Sequence, residues 1–195
     1  MGTRGAYGFR IDEKDKVTSN GHDSHPSGLG KNIMIYIANT PLEKIRVAAS
    51  RITLVRGDSE PSAELIKRYK KYAEEDVSEN WNYYDLLAKT QRNRFPGNLF
   101  FYNKDLEHMI DDSEFLHDSL FCEWAYIINM DSGQFEVYQG GNEDKSALGR
   151  YARYKVPDNE DHMGVVLVKE TPLVDITKDR VDDLAQMLQE QEDEY

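Results

Sequence analysis

The chain has 195 residues, 39% hydrophobic and 31% charged, with a net charge of −12 at neutral pH. Those fractions suit one globular domain with a core and exclude a disordered chain. No apolar run reaches the ~20 residues that a membrane-spanning helix needs, and the lone Cys122 excludes an intramolecular disulfide framework or a multi-cysteine zinc site.

In chain order, Thr3 to Phe9 reads as a strand with Thr3, Gly5, Tyr7 and Phe9 on one face. Ile11 to Lys16 reads as a charged turn, and Lys16 to Asn20 as the return strand of a hairpin. Ser19 to Gly30 is dense in Gly, Ser, Asn, Asp and Pro and predicts a loop. A helix follows from about Leu29 to Ala38. Thr40, Pro41 and Glu43 then open a second helix to about Val55, as N-cap, first helical residue and N3 partner.

Pro61 to about Glu75 predicts a helix with a basic middle, and Ser78 caps another over about Glu79 to Arg92. Asn98 to Leu120 reads as short helical pieces. Phe121 to Met130 is the clearest strand; the Asp131-Ser132-Gly133 turn and Gln134 to Tyr138 complete a β-hairpin. Arg150 to Val156 and the apolar Met163 to Lys169 are further strands. Thr177 caps a last helix with Val181, Leu184, Ala185 and Leu188 at i, i+3, i+4 and i+7. The order predicts a single α+β domain over residues 1–188, with several helices on a mostly antiparallel sheet, and a frayed acidic tail over 189–195.

Several groups of residues carry candidate chemistry. Asp23-Ser24-x-Pro26-x-Gly28-x-Gly30 precedes a helix, a setting in which free backbone N–H groups of Gly28 to Lys31 favour an anion. It is not a P-loop, because Asn32 follows Gly30-Lys31. The alternative is a plain connecting turn in which Asp23 bonds its own backbone. Arg4 or Arg10 would add bidentate contacts to the anion, with Asn20 and Ser24 beside them.

His22 and His25 with Asp23 offer three ligand types in four residues. A metal would need a fourth ligand from His108, His117 or His162, so the expectation is exposed loop histidines and no metal. Cys122 reads as a small core residue. Lys67 to Lys71 with Tyr69 and Tyr72 reads as a solvated helix face, and Phe95, Phe100, Phe101 and Tyr102 as core or pocket aromatics.

The starting strand, the hairpin and the Asn and Asp of the next loop resemble the architecture of N-terminal-nucleophile hydrolases. Those enzymes begin a strand with Cys, Ser or Thr, whose own α-amine is the base. Thr3 is the candidate here, one position late unless Gly2 is removed.

The opening Met-Gly-Thr-Arg-Gly-x-Tyr-Gly-Phe-Arg, Thr18-x-Asn20, Asp23-Ser24-x-Pro26-x-Gly28-Leu29-Gly30, and Glu123 to Asn129 with Phe135 to Tyr138 carry a second likeness. So, more weakly, does Val168-Lys169-Glu170-x-Pro172-Leu173. Together they resemble a group of small, largely uncharacterised bacteriophage and bacterial proteins with no activity assigned. In that group aromatics often stand where His22 and His25 lie here, which weighs against a metal. The resemblance implies an accessory protein inside a bacterial cell.

Charge is unevenly spread. Residues 1–100 carry 16 basic and 13 acidic side chains, and residues 101–195 carry 8 and 23. The acidic half argues against a nucleic-acid partner and suits either a solubilising surface or a basic host protein. The leading expectation is a non-enzymatic cytoplasmic protein, without a cofactor, that binds a small anionic, nucleotide-like ligand. An acidic inhibitor docking on a basic host protein and an N-terminal-nucleophile-like hydrolase are the alternatives.

Overall fold

A computed structural model of the chain describes residues 2–70, 81–91, 107–141, 148–156 and 159–192. Phe95, Phe100, Phe101, Tyr102, Lys71 and Tyr72 lie outside the described residues. Strands β1 (Gly5–Ile11) and β2 (Lys14–Asn20) form the opening hairpin. Its turn is tighter than expected: only Asp12 and Glu13 lie between the strands, both at positive φ (52° and 60°). That is the two-residue turn whose twist matches a hairpin, though without its usual glycine. The Asp131 carboxylate compensates by accepting the Asp12 and Glu13 N–H groups, each at 2.9 Å.

After one π-helical turn over Pro26–Gly30 come α1 (Lys31–Asn39) and α2 (Leu42–Arg51). The second helix does not reach Val55. Thr53–Val55 is instead strand β3, parallel to β4 (His108–Ile110), in keeping with the β preference of Ile52, Thr53 and Val55. Between them lie α3 (Ala63–Tyr69), capped by Ser62 rather than opened by Pro61, and α4 (Tyr83–Gln91). Gln91 is buried and acts as a surrogate strand: its side chain bonds the His108 carbonyl (2.6 Å) and the Ile110 N–H (3.2 Å).

The second hairpin is β5 (Trp124–Asn129) and β6 (Gln134–Gln139). The stretch read as a strand over 150–156 is one only at β7 (Lys155–Val156), paired with β8 (Asn159–Met163). The strand expected over 163–169 shifts to β9 (Val166–Pro172), which is a half-buried strand at the sheet edge. Helix α5 (Val181–Glu192) starts four residues after Thr177 and continues beyond residue 188.

The main sheet has the order β2-β1-β5-β6-β9; β1 and β5 are parallel and the other pairs antiparallel, which makes this an α+β fold. Strand alternation gives the sheet two different faces. On the first, Tyr7, Phe9, Trp124, Tyr126, Ile128 and Phe135 join residues of α1, α2 and α5 in the large apolar core. On the second, Ala6, Val17, Ala125, Ile127 and Tyr138 form a smaller cluster with Leu116, Cys122, Tyr151 and Val165. Among the described residues, no helix is long and apolar enough to cross a membrane.

Candidate functional site

The head of β1 and the 20–31 loop form a tightly bonded knot on the first face. Gly5 permits it. A Cβ there would lie 2.3 Å from the Trp124 carbonyl and 2.7 Å from Ser24 Cβ, so only glycine lets the loop close over the strand. The Ser24 N–H donates to the Thr3 carbonyl (3.1 Å), and Tyr126 Oη donates to the Ser24 carbonyl (2.8 Å). Asn20 Nδ2 donates to Ser24 Oγ (2.8 Å) and to the His22 carbonyl. Gly30 packs against the Tyr126 ring, where a Cβ would sit 2.8 Å from Cε1. Within this frame the Thr3 hydroxyl is hydrogen-bonded to His25 Nε2. Thr3, Asn20 and Ser24 are buried, whereas Gly2, Arg4, His22 and Asp23 are exposed around them.

The expectation of free backbone donors at Gly28 to Lys31 is not met. The Gly28 and Gly30 N–H groups donate to the His25 carbonyl (3.0 and 3.3 Å), and the Leu29 N–H donates to the Asp23 carbonyl (3.1 Å). The Lys31 N–H donates to carbonyls of Gly28 and Pro26. A π-helical turn consumes the amides that an anion would have needed. Asp23, at φ 55°, serves this turn through its backbone carbonyl.

Nor do the two arginines join the loop. Arg4, at the extended head of β1, places its guanidinium 4.8 Å from the centre of the Phe121 ring, and its N–H donates to Glu123 Oε1 (2.9 Å). Arg10 lies six residues further, ~20 Å along a strand, and pairs with Asp15 at 2.9 Å. The two-residue repeat puts Arg4 and Arg10 on the face opposite Thr3 and Gly5. Lys31 points to Asp182 (2.7 Å), both side chains exposed.

Arg10 belongs instead to a polar centre on the second face. Asp15, Arg10 and Asn129 are register partners on β2, β1 and β5, and Glu136 lies diagonally across from Asn129 on β6, two residues from its partner Gln134. Glu136, only 3% exposed, accepts from Asn129 Nδ2 (2.6 Å), Tyr138 Oη (2.8 Å) and the Arg150 guanidinium. Burial and the Glu136 charge push the Tyr138 hydroxyl pKa well up, so it stays a donor. Tyr151 stands beside Tyr138, ring centres 4.9 Å apart, and burial with the Asp15 charge raises its pKa too. Sequence reading missed this centre; its one signal was Glu136 between Phe135 and Val137, a charge in a strand whose neighbours on both sides are apolar.

Among the described residues, no group of three His, Cys, Asp or Glu side chains could hold a metal ion. His108 is hydrogen-bonded to Tyr69 Oη (2.8 Å) and His117 is stacked on Tyr154 (ring centres 3.8 Å apart), so neither completes a site with His22 and His25. Cys122 is fully buried, and burial pushes its thiol pKa far up, which leaves it a core residue without nucleophile character. No protein-family model matches the sequence, and no curated protein or solved structure matches it either.

Proposed function

We propose that the protein is a non-enzymatic binding protein for a small anionic, nucleotide-like ligand, taken at the head of β1 and the loop that follows. One observation carries the reading. The Thr3 hydroxyl and the His25 imidazole, both able to bond phosphate oxygens, meet at the strand end inside a loop fixed by Asn20, Ser24 and Tyr126. Exposed His22 and Asp23 lie in the same loop. With the loop amides engaged, recognition falls to side chains. Arg4, exposed and next in sequence to Thr3, supplies the charge and a two-pronged donor once its guanidinium leaves the Phe121 ring and swings round the strand end, and exposed Asp23 accepts from a ligand hydroxyl. Lys31 is available because an exposed pair such as Lys31–Asp182 is weakly held. Arg10 is left out of the site by distance.

The resemblance to phage and bacterial proteins supports a bacterial cytoplasm as the setting. Calorimetry against nucleoside monophosphates, triphosphates and cyclic nucleotides tests the reading. Binding by at least one of them, weakened about tenfold or more in Arg4→Ala, is expected, a loss near the ~1.5–3 kcal/mol of a charged hydrogen bond. Heat from none of them sinks it.

The place of Thr3 at the head of β1 favours a second reading, because a threonine that begins a strand can use its own α-amine as the base for its hydroxyl. For an N-terminal-nucleophile-like hydrolase, Gly2 must be removed to free the Thr3 amine. Intact mass spectrometry decides it: a purified chain that starts at Thr3 supports hydrolysis, and one that starts at Met1 or Gly2 removes that mechanism.

A further inference from the structure

We propose that residues 148–156 form a strap over the second sheet face that opens separately from the rest of the fold, with the Glu136–Arg150 pair as its latch. The strap is tied by backbone bonds near both ends. The Leu167 N–H donates to the Leu148 carbonyl (3.0 Å), and the Gly164 N–H to the Tyr154 carbonyl (2.9 Å). Between these ties, Arg150 reaches the buried Glu136 carboxylate and Tyr151 packs against Tyr138. Gly149 turns the chain at φ 114°, with a would-be Cβ 2.8 Å from Leu167 Cβ, a hinge suited only to glycine. Gly164 lies against the strap, since a Cβ there would meet the Tyr151 carbonyl at 2.1 Å.

Two features make separate opening cheaper than unfolding. The apolar cluster on this face is far smaller than the helix-covered one, and the strap gives it one large side chain, Tyr151. Elements with little apolar burial open at a fraction of the global free energy. Glu136 keeps two of its three donors, Asn129 and Tyr138, when Arg150 leaves, so no carboxylate is stranded. Arg150 is already 29% exposed at its side chain and moves easily into water.

Hydrogen exchange of the whole native chain, read by peptide-resolved mass spectrometry across low urea concentrations, tests the strap. In the unaltered protein, amides of 148–156 should be protected, yet exchange at least about tenfold faster than those of 124–129 and with little urea dependence. Glu136→Gln should speed 148–156 by a further several-fold while the difference between wild type and variant at 124–129 stays small. Arg150→Met, which leaves Glu136 with its sheet donors, should do the same and serves if the first variant does not fold. The proposal is overturned if 148–156 exchanges together with 124–129, if both variants speed the two regions equally, or if 148–156 shows no protection at all.

Discussion

Gly5 and Gly30 illustrate how single residues set the knot. A methyl group at Gly5 would collide with the Trp124 carbonyl at 2.3 Å and with Ser24 Cβ at 2.7 Å. Neither can yield without parting β1 from β5 or lifting the loop. Gly5→Ala is therefore expected to cost about 3 kcal/mol, at the upper end for overpacking. At Gly30 the colliding atoms belong to the Tyr126 ring, which can tilt, so Gly30→Ala should cost about 1 kcal/mol. Urea midpoints of the two variants check the order; equal losses would contradict the packing described. Tyr126→Phe removes the donor to the buried Ser24 carbonyl and should cost about 1–2 kcal/mol, again read as a shift in urea midpoint.

At the scale of elements, the Asp12-Glu13 turn is held in a conformation its own residues disfavour. Left-handed backbone costs non-glycine residues roughly 1–2 kcal/mol each, offset here by Asp131, whose carboxylate accepts both turn N–H groups. Replacing Asp12-Glu13 by Asn-Gly suits this turn type and leaves the Asp131 bonds in place. It should stabilise the protein by about 1 kcal/mol, a rise in Tm of about 2–4 °C. Lys16 ties the hairpin to the helix layer: its Nζ donates to carbonyls of Ala49 (2.9 Å), Ser50 (3.2 Å) and Ile52 (2.8 Å) at the end of α2. A cation at a helix C-terminus satisfies orphan carbonyls and meets the negative end of the dipole. Lys16→Met should lower stability by about 1–2 kcal/mol, seen as a lower melting temperature with α2 amides losing protection first.

For the whole molecule, half-buried histidines give stability a pH dependence. Burial lowers the pKa of His117 and of His108. The unfolded chain therefore binds protons at a higher pH than the folded one, and stability falls as pH drops through the ordinary histidine value of about 6.5 toward the lower folded values. His117→Phe keeps the stack on Tyr154 and removes one titrating group. Urea unfolding at pH 7.5 and 5.5 should show a smaller difference between the two conditions in this variant than in the parent. An unchanged difference would show that His117 is not a source of the slope.

Periodicity and turn chemistry made the α+β class legible, along with both hairpins and the last helix. Trp124, Tyr126 and Ile128 alternate with residues of the other face, and strand alternation is a local property that needs no partner to be read. What tertiary structure alone decided is pairing. Thr53–Val55 became a strand because His108–Ile110 lies beside it. The loop amides closed on carbonyls of their own turn, where the spacing of glycines suggested an anion. Arg4 and Arg10 read as neighbours of the loop and stand on the opposite face. Glu136 was visible as a charge within a strand, but Arg150, Asn129 and Tyr138 reach it only through strand register and a covering segment. Local patterns follow from backbone geometry and side-chain preference; which donor meets which acceptor across long separations follows from how the layers pack.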